Sequence, residues 1–319
     1  ANACTGPVGM LHARAMATAV ARRIGCPPQQ VFVCSTGRIG VRLPIVKIEA
    51  GIKRLLGALE PQGGGVAAQA IMTTDTFPKE VAVRFTAGGR SIRLGGIAKG
   101  AGMIQPRMAT MLSFLTTDAP LTPAVLQRAL AAAVRQSFNR ITVDGDTSTN
   151  DTVILLANGA AGGRPLAGRA LHPFQEALNF CCRELAQMIV RDGEGVSRFV
   201  TVNVRGAATE RDAETAARAV ANSVLVKTSW CGGDPNWGRI MDALGYANAR
   251  VREDRVEIAY DGVTVVRRGV AAKVLPPRVK AIVAQPSFTI DIHLHLGPGR
   301  CTIWTTDLTE KYVALNKGE

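Results

Sequence analysis

The sequence predicts a mixed α/β (α+β) protein built of layered sheets and helices, and three observations lead there. Apolar stripes of helical period alternate along the chain with short runs in which every second residue is apolar. Glycine and proline, 33 and 16 in 319 residues, cut the chain into short elements. Hydrophobic residues make up 47% of the total, enough for one large core or two ordinary ones. Periodicity does not fix strand order, so the sheet topology stays open.

The elements follow in order. Met10, Ala13, Ala17, Val20 and Ile24 fall on one face and predict a helix over 9–25, which Pro27-Pro28 stops. Val31-Phe32-Val33-Cys34 reads as a short buried strand, with Ser35-Thr36-Gly37 at its end. A second helix is expected over 45–59, and Gly63-Gly64-Gly65 turns into the apolar run Val66–Met72. Val81, Val83 and Phe85, then Gly88-Gly89, then Ile92 and Leu94 predict a hairpin over 80–98. Further strands are expected over 109–117, near 141–144 and over 152–157. Leu126, Leu130, Val134 and Phe138 mark a helix, and so do Phe174, Leu178, Cys181, Leu185 and Met188 over 173–191. Strand and helix then alternate to a closing strand, Cys301–Trp304. Gly159–Gly163 is the best composition break, and a second lobe is expected after about 160, although the segment reads equally as a loop.

Composition excludes several classes. No apolar run reaches the ~18 residues of a membrane span. Seven cysteines without a CxxC pair argue against a disulfide framework and a zinc site, and predict mostly buried, reduced thiols in a cytoplasmic protein. The net charge of +13 raises nucleic-acid binding, but the signs interleave, as in Arg252-Glu253-Asp254-Arg255, and aromatics are only 5%. A solvated basic surface that suits small anionic substrates fits the same excess.

Gly-x-Ser-x-Gly, Walker and His-Glu-x-x-His motifs are absent, and the four histidines lie far in sequence from the Ser- and Thr-rich segments. His293 and His295 read as packed or surface strand residues. The segment that scaffolding explains least is Lys99-Gly-Ala-Gly-Met, then Pro106, then Met108-Ala109-Thr110-Met111-Leu112. A glycine-rich loop with a lone lysine leads into a threonine that opens an apolar strand. Taken alone, Thr110 is equally a β-branched residue at home in a strand.

This segment resembles the self-cleavage site of the ornithine acetyltransferases, the bifunctional glutamate N-acetyltransferases. Matching blocks run in order along the chain: Ala1–Gly6, Ser35–Gly37, Ile71–Thr76, Ser137–Asp151, Arg191–Gly195, Gly232–Arg239, Thr306–Thr309 and Tyr312–Asn316. The resemblance implies the layered self-processing fold and a cut at Ala109–Thr110. The products would be chains 1–109 and 110–319, intertwined in one catalytic unit. A threonine hydroxyl needs a base, and the cut would provide one, because a free α-amine has a pKa of about 7.7–8.0.

On the same resemblance Thr110 takes acetyl from N-acetylornithine and passes it to glutamate, in arginine biosynthesis. Thr36 and Gly37 would form the oxyanion hole, where losing one donor typically costs about 2.7–4 kcal/mol. Thr76, Lys99, Thr110, Glu194 and Asn316 would bind substrate, Lys99 meeting a carboxylate and Glu194 an amine. No metal or organic cofactor is implied, with acetyl-CoA open as a second donor. Two pairs of chains would form a heterotetramer in the cytoplasm, without nucleic acid or membrane. Arg107 departs from the Asn usual in the family. The family's N-terminal segment and last residues are not found, so a piece of a longer protein is expected. The alternatives are a related self-cleaving threonine hydrolase or aminopeptidase, and a non-catalytic basic nucleic-acid-binding protein.

Overall fold

The computed structural model describes residues 1–105 and 111–317. Ala109, Thr110 and Arg107, on which the cleavage expectation falls, lie outside them. Ten α-helices and two sheets are present among the described residues.

Helix α1 (Gly6–Ile24) ends at Gly25, whose φ of 75° gives the left-handed cap, and packs on α2 (Ile45–Gly57). A short α3 (Gly64–Ala70) follows. Strands β1 (Lys79–Ala87) and β2 (Arg90–Lys99) form the expected hairpin around Gly88-Gly89, both at positive φ. β3 (Leu112–Thr117) pairs antiparallel with β2, and β4 (Thr152–Ala157) pairs parallel with β3. Helix α4 (Pro123–Arg135) makes the crossover between them. Helix α5 (Leu171–Arg191) lies on β1 and β2. Its stripe of Phe174, Leu178, Cys181, Leu185 and Met188 packs with Ile92, Leu94 and Leu115 as the first core.

The second sheet runs β10-β5-β9-β6-β7-β8. Its strands are β5 (Phe199–Ala207), β6 (Glu257–Tyr260), β7 (Val263–Arg267), β8 (Val270–Ala271), β9 (Ser287–His293) and β10 (Gly299–Thr306). Helix α6 (Glu210–Asn222), capped by the Thr209 hydroxyl on the Asp212 amide, covers β5 and β10. Helices α7 (Val224–Cys231), α8 (Trp237–Tyr246) and α9 (Pro276–Val283) add to this second core, and α10 (Glu310–Leu315) ends the chain's ordered elements. The mixed α/β class is as the sequence predicts.

Three expectations need correction. Val31–Cys34 is not a strand: Phe32 is 70% exposed, and none of its backbone groups joins a ladder. Four apolar residues do not make a strand without a neighbouring edge to pair with. The 141–144 segment makes only one bridge, Ile141 with Trp304. Its next amides go to different partners, Thr142 to Trp304 and Val143 to Ile104, so no ladder develops. Phe138 lies beyond α4 in a single 3₁₀ turn, yet remains buried in the first core.

Candidate active site

The first sheet gathers three strand ends at one edge. β2 ends on Lys99, which pairs with Leu112 at the start of β3, and Leu112 pairs in turn with Thr152 at the start of β4. The register thus sets Lys99 opposite the first residue of β3, two positions in sequence after Thr110.

Lys99 is 3% exposed, and its Nζ donates to Thr73 Oγ1 at 2.5 Å and Thr36 Oγ1 at 3.3 Å. Asp75 Oδ2 stands 3.7 Å away. Burial lowers the Lys99 pKa, while the charges of Asp75 and Glu194 work the other way. Thr36 precedes Gly37, whose φ of 121° is a conformation that side chains rarely adopt. A Cβ on Gly37 would also stand 3.1 Å from the Ala1 nitrogen. The glycine thus allows a backbone turn and a close approach to Ala1 that a side chain would oppose.

Glu194 comes to the same place through its backbone, its amide donating to Ala101 O at 2.9 Å. Its carboxylate lies against Gly102, where a Cβ would fall 2.5–2.6 Å from the carboxyl atoms. Asn316 Nδ2 donates to Glu194 Oε2 at 3.0 Å, which ties the C-terminal segment to the site. Thr76 is placed differently from the others. Its amide donates to Asp192 Oδ2 at 2.9 Å and its hydroxyl to Asp192 Oδ1, so both polar groups are held by one buried carboxylate.

Sequence reasoning missed the buried charges beneath this surface. Lys79 is fully buried and bridges Asp75 at 2.7 Å and Asp192 at 2.5 Å. Asp75 also accepts from the amides of Gly100 at 2.7 Å and Thr73 at 3.1 Å. Burial would raise the Asp75 pKa, but these bonds and the Lys79 charge outweigh it and hold it below the usual range. Asp151 was missed as well. Its Oδ1 accepts the Met111 amide at 2.6 Å. The available signal was position: Asp75 directly precedes Thr76, and Asp192 lies two residues before Glu194.

Among the described residues no group of three His, Cys, Asp or Glu is arranged to hold a metal ion. His293 ends β9, and His295 lies just beyond it at a φ of 50°, their rings 3.7 Å apart on the second sheet. Of the seven cysteines, Cys181, Cys182 and Cys301 are buried and Cys4 is exposed.

In this layered two-sheet α/β protein the Thr36 hydroxyl and the buried Lys99 meet where β2 ends beside the start of β3, an arrangement that suits an enzyme of the acyl-transfer type. The comparisons make this particular. The ArgJ family model matches residues 1–318. The arginine biosynthesis bifunctional protein ArgJ of Geobacter sulfurreducens is 50% identical over 319 residues, covering 99% of this chain and 81% of that one. Its counterpart in Geobacillus kaustophilus is 43% identical, with 99% and 78% covered. The crystal structure of the same protein from Bacillus halodurans is 38% identical, with a TM-score of 0.62 over 64% of this chain and 97% of that one. The chain belongs to the ArgJ family.

Proposed function

We propose that the chain is a glutamate N-acetyltransferase of arginine biosynthesis, which moves acetyl from N2-acetylornithine to glutamate through an acetyl-Thr110 intermediate. The observation that carries this reading is the convergence of Thr36, Lys99 and Glu194 on the start of β3, in a chain matched over its length by the family.

The chemistry follows from the residues. Attack of the Thr110 hydroxyl on the Ala109 carbonyl, then hydrolysis of the ester, frees a threonine with its own α-amine. That amine takes the hydroxyl proton as Thr110 attacks the acetyl carbonyl. Negative charge then develops on the carbonyl oxygen, where the Thr36 hydroxyl and the Gly37 amide are suited to receive it. Lys99 donates to Thr36 Oγ1. That bond uses one lone pair of the Thr36 hydroxyl and leaves its proton to donate to the oxyanion. Glu194, fixed by Asn316, offers a carboxylate to a substrate amine.

The Bacillus halodurans chain, covered almost whole by 64% of this one, has the size of residues 110–319, about two thirds of the chain. This supports a cut into chains 1–109 and 110–319. Assembly of two such pairs and work in the cytoplasm belong to the same reading. No cofactor is needed for a transfer between two amino acids, and acetyl-CoA enters only as a second donor.

Intact-mass spectrometry of wild type beside Thr110→Ala is the test. Two species, ending at Ala109 and beginning at Thr110, should appear in wild type and vanish in the variant. Release of ornithine from N2-acetylornithine should accelerate on adding glutamate. Release at one rate with or without glutamate would make the enzyme a hydrolase instead.

A further inference from the structure

The charged groups beneath this site fix which way its hydroxyls point their protons. An ammonium can only donate and a carboxylate can only accept, while a threonine hydroxyl has one proton and two lone pairs. Lys99 Nζ donates to the hydroxyls of Thr36 at 3.3 Å and Thr73 at 2.5 Å, so each uses a lone pair and keeps its proton free. Thr76 has the opposite polarity. Its hydroxyl meets Asp192 Oδ1, which cannot donate, so the Thr76 proton is committed to the carboxylate and only lone pairs remain.

Asp192 is held in that role. It is buried, and its Oδ2 takes the Lys79 ammonium at 2.5 Å and the Thr76 amide at 2.9 Å. Lys79 is fixed in turn by Asp75 at 2.7 Å. Thr76 stands exposed above this frame. The segment that carries it runs along the end of β2, where Thr73 meets Lys99 and Asp75 accepts the Gly100 amide. Glu194, two residues after Asp192, donates its amide to Ala101 O at 2.9 Å. Donor hydroxyls and an acceptor hydroxyl therefore border one strand end.

Besides its acetyl oxygen, N2-acetylornithine offers a carboxylate, an ammonium and an amide N–H. The first two suit Lys99 and Glu194 by charge. The amide N–H calls for a neutral acceptor, and Thr76 is a hydroxyl left with nothing but lone pairs. We propose that Asp192, by taking the Thr76 proton, makes Thr76 the acceptor for the substrate's amide N–H and so selects amides over esters and thioesters as acetyl donors. The proposal rests on the acetyltransferase reading. An ester or thioester has no hydrogen on the atom that replaces the amide nitrogen, and would set lone pair against lone pair. A site built around a substrate N–H rejects an analogue without it more strongly than an apolar pocket rejects a change of shape, because a polar group is left unpaired.

The test uses two donors of one shape: N2-acetylornithine and its ester analogue 2-acetoxy-5-aminopentanoate, with oxygen in place of the amide nitrogen. Formation of N-acetylglutamate from each is measured for wild type, Thr76→Val, Thr76→Ser and Asp192→Asn. Thr76→Val keeps the shape and removes the hydroxyl. Its kcat/KM for the amide should fall about 10- to 100-fold, mostly through KM, while the value for the ester stays within a few-fold. Thr76→Ser keeps the hydroxyl and should restore the amide.

Asp192→Asn is the sharper variant. Its oxygen must stay at the Oδ2 position, where Lys79 and the Thr76 amide both donate, so its NH2 group faces the Thr76 hydroxyl. That hydroxyl then accepts from below and turns its proton outward, which opposes the amide and favours the ester. The amide-to-ester ratio of kcat/KM should drop further than in Thr76→Val. Equal losses for both donors in Thr76→Val would reduce Thr76 to scaffold, and no loss for either would take it out of the site. Each result overturns the proposal, as does a folded Asp192→Asn enzyme with the wild-type ratio. If Asp192→Asn does not fold, the Thr76→Val and Thr76→Ser pair decides. A wild type that forms N-acetylglutamate from neither donor would instead sink the acetyltransferase reading itself.

Discussion

The edge of the first sheet and the middle of the second are built on opposite principles. Around β5, β9 and β6 the buried residues are almost all apolar: Val200, Val202, Ile258, Ile290 and Ile292, under α6 and Trp230. Where β1 begins and β2 ends the buried groups are Asp75, Lys79, Lys99 and Asp192. An apolar core stabilises by area removed from water and tolerates volume-conserving change. A buried charge network gains little over apolar packing but suffers heavily when one member is lost, because a bare charge remains. The second sheet is thus suited to scaffold. The first sheet uses a fragile arrangement where a lysine must be held in one place.

That contrast predicts the largest effect at Asp192. Asp192→Ala strips Lys79 of one carboxylate and Thr76 of both its bonds, and should lower unfolding free energy by about 3–5 kcal/mol. Ile290→Ala in the dry core should cost a comparable amount, about 2–5 kcal/mol, through its cavity. Denaturant titrations measure both, and activity separates them. Ile290→Ala should leave kcat/KM of the folded fraction unchanged, while Asp192→Ala should lower it. Equal activity in the two variants would remove the distinction between the regions.

Lys99 sharpens the comparison within the site itself. Lys79 and Lys99 lie at the same sheet edge, but only Lys79 completes both carboxylates. In Lys99→Met, Asp75 keeps Lys79 and the Gly100 and Thr73 amides, so stability should shift by only about 1 kcal/mol. Its kcat/KM should fall on the order of 10²-fold, as expected when support for an oxyanion donor is removed. A stability loss as large as that of Asp192→Ala would make Lys99 a second structural lysine.

Much of this was legible in the sequence, and what was not has a physical cause. The hairpin at Gly88-Gly89 and the stripe of α5 were readable because each is a local pattern with one geometric solution. Lys99 stood out as the lone lysine of a glycine-rich loop, but its role, like those of Thr36, Glu194 and Asn316, came only through the family resemblance, since the contacts joining them span many residues of chain. Lys79 stood out in no motif: its two carboxylates lie 4 and 113 positions away, and only folding brings them together. Val31–Cys34 failed for the complementary reason. A strand requires a partner edge, which a run of four apolar residues cannot announce.

The smallest effect is expected on the basic surface, whose interleaved signs the sequence already showed within its net charge of +13. Arg252 and Asp254 meet at 3.2 Å with side chains 58% and 65% exposed. An exposed pair of this kind is worth about 0–1 kcal/mol, because solvent screens it and holding two flexible side chains costs entropy. Arg252→Ala should therefore leave unfolding free energy within that range. It should also leave kcat/KM unchanged between low and moderate salt, since the pair belongs to the second sheet's outer surface and not to the site. Were Arg252→Ala to weaken substrate capture in a salt-dependent way, the basic surface would be steering anionic substrates. The division between a first sheet that carries the proposed site and a scaffolding second sheet would then need redrawing.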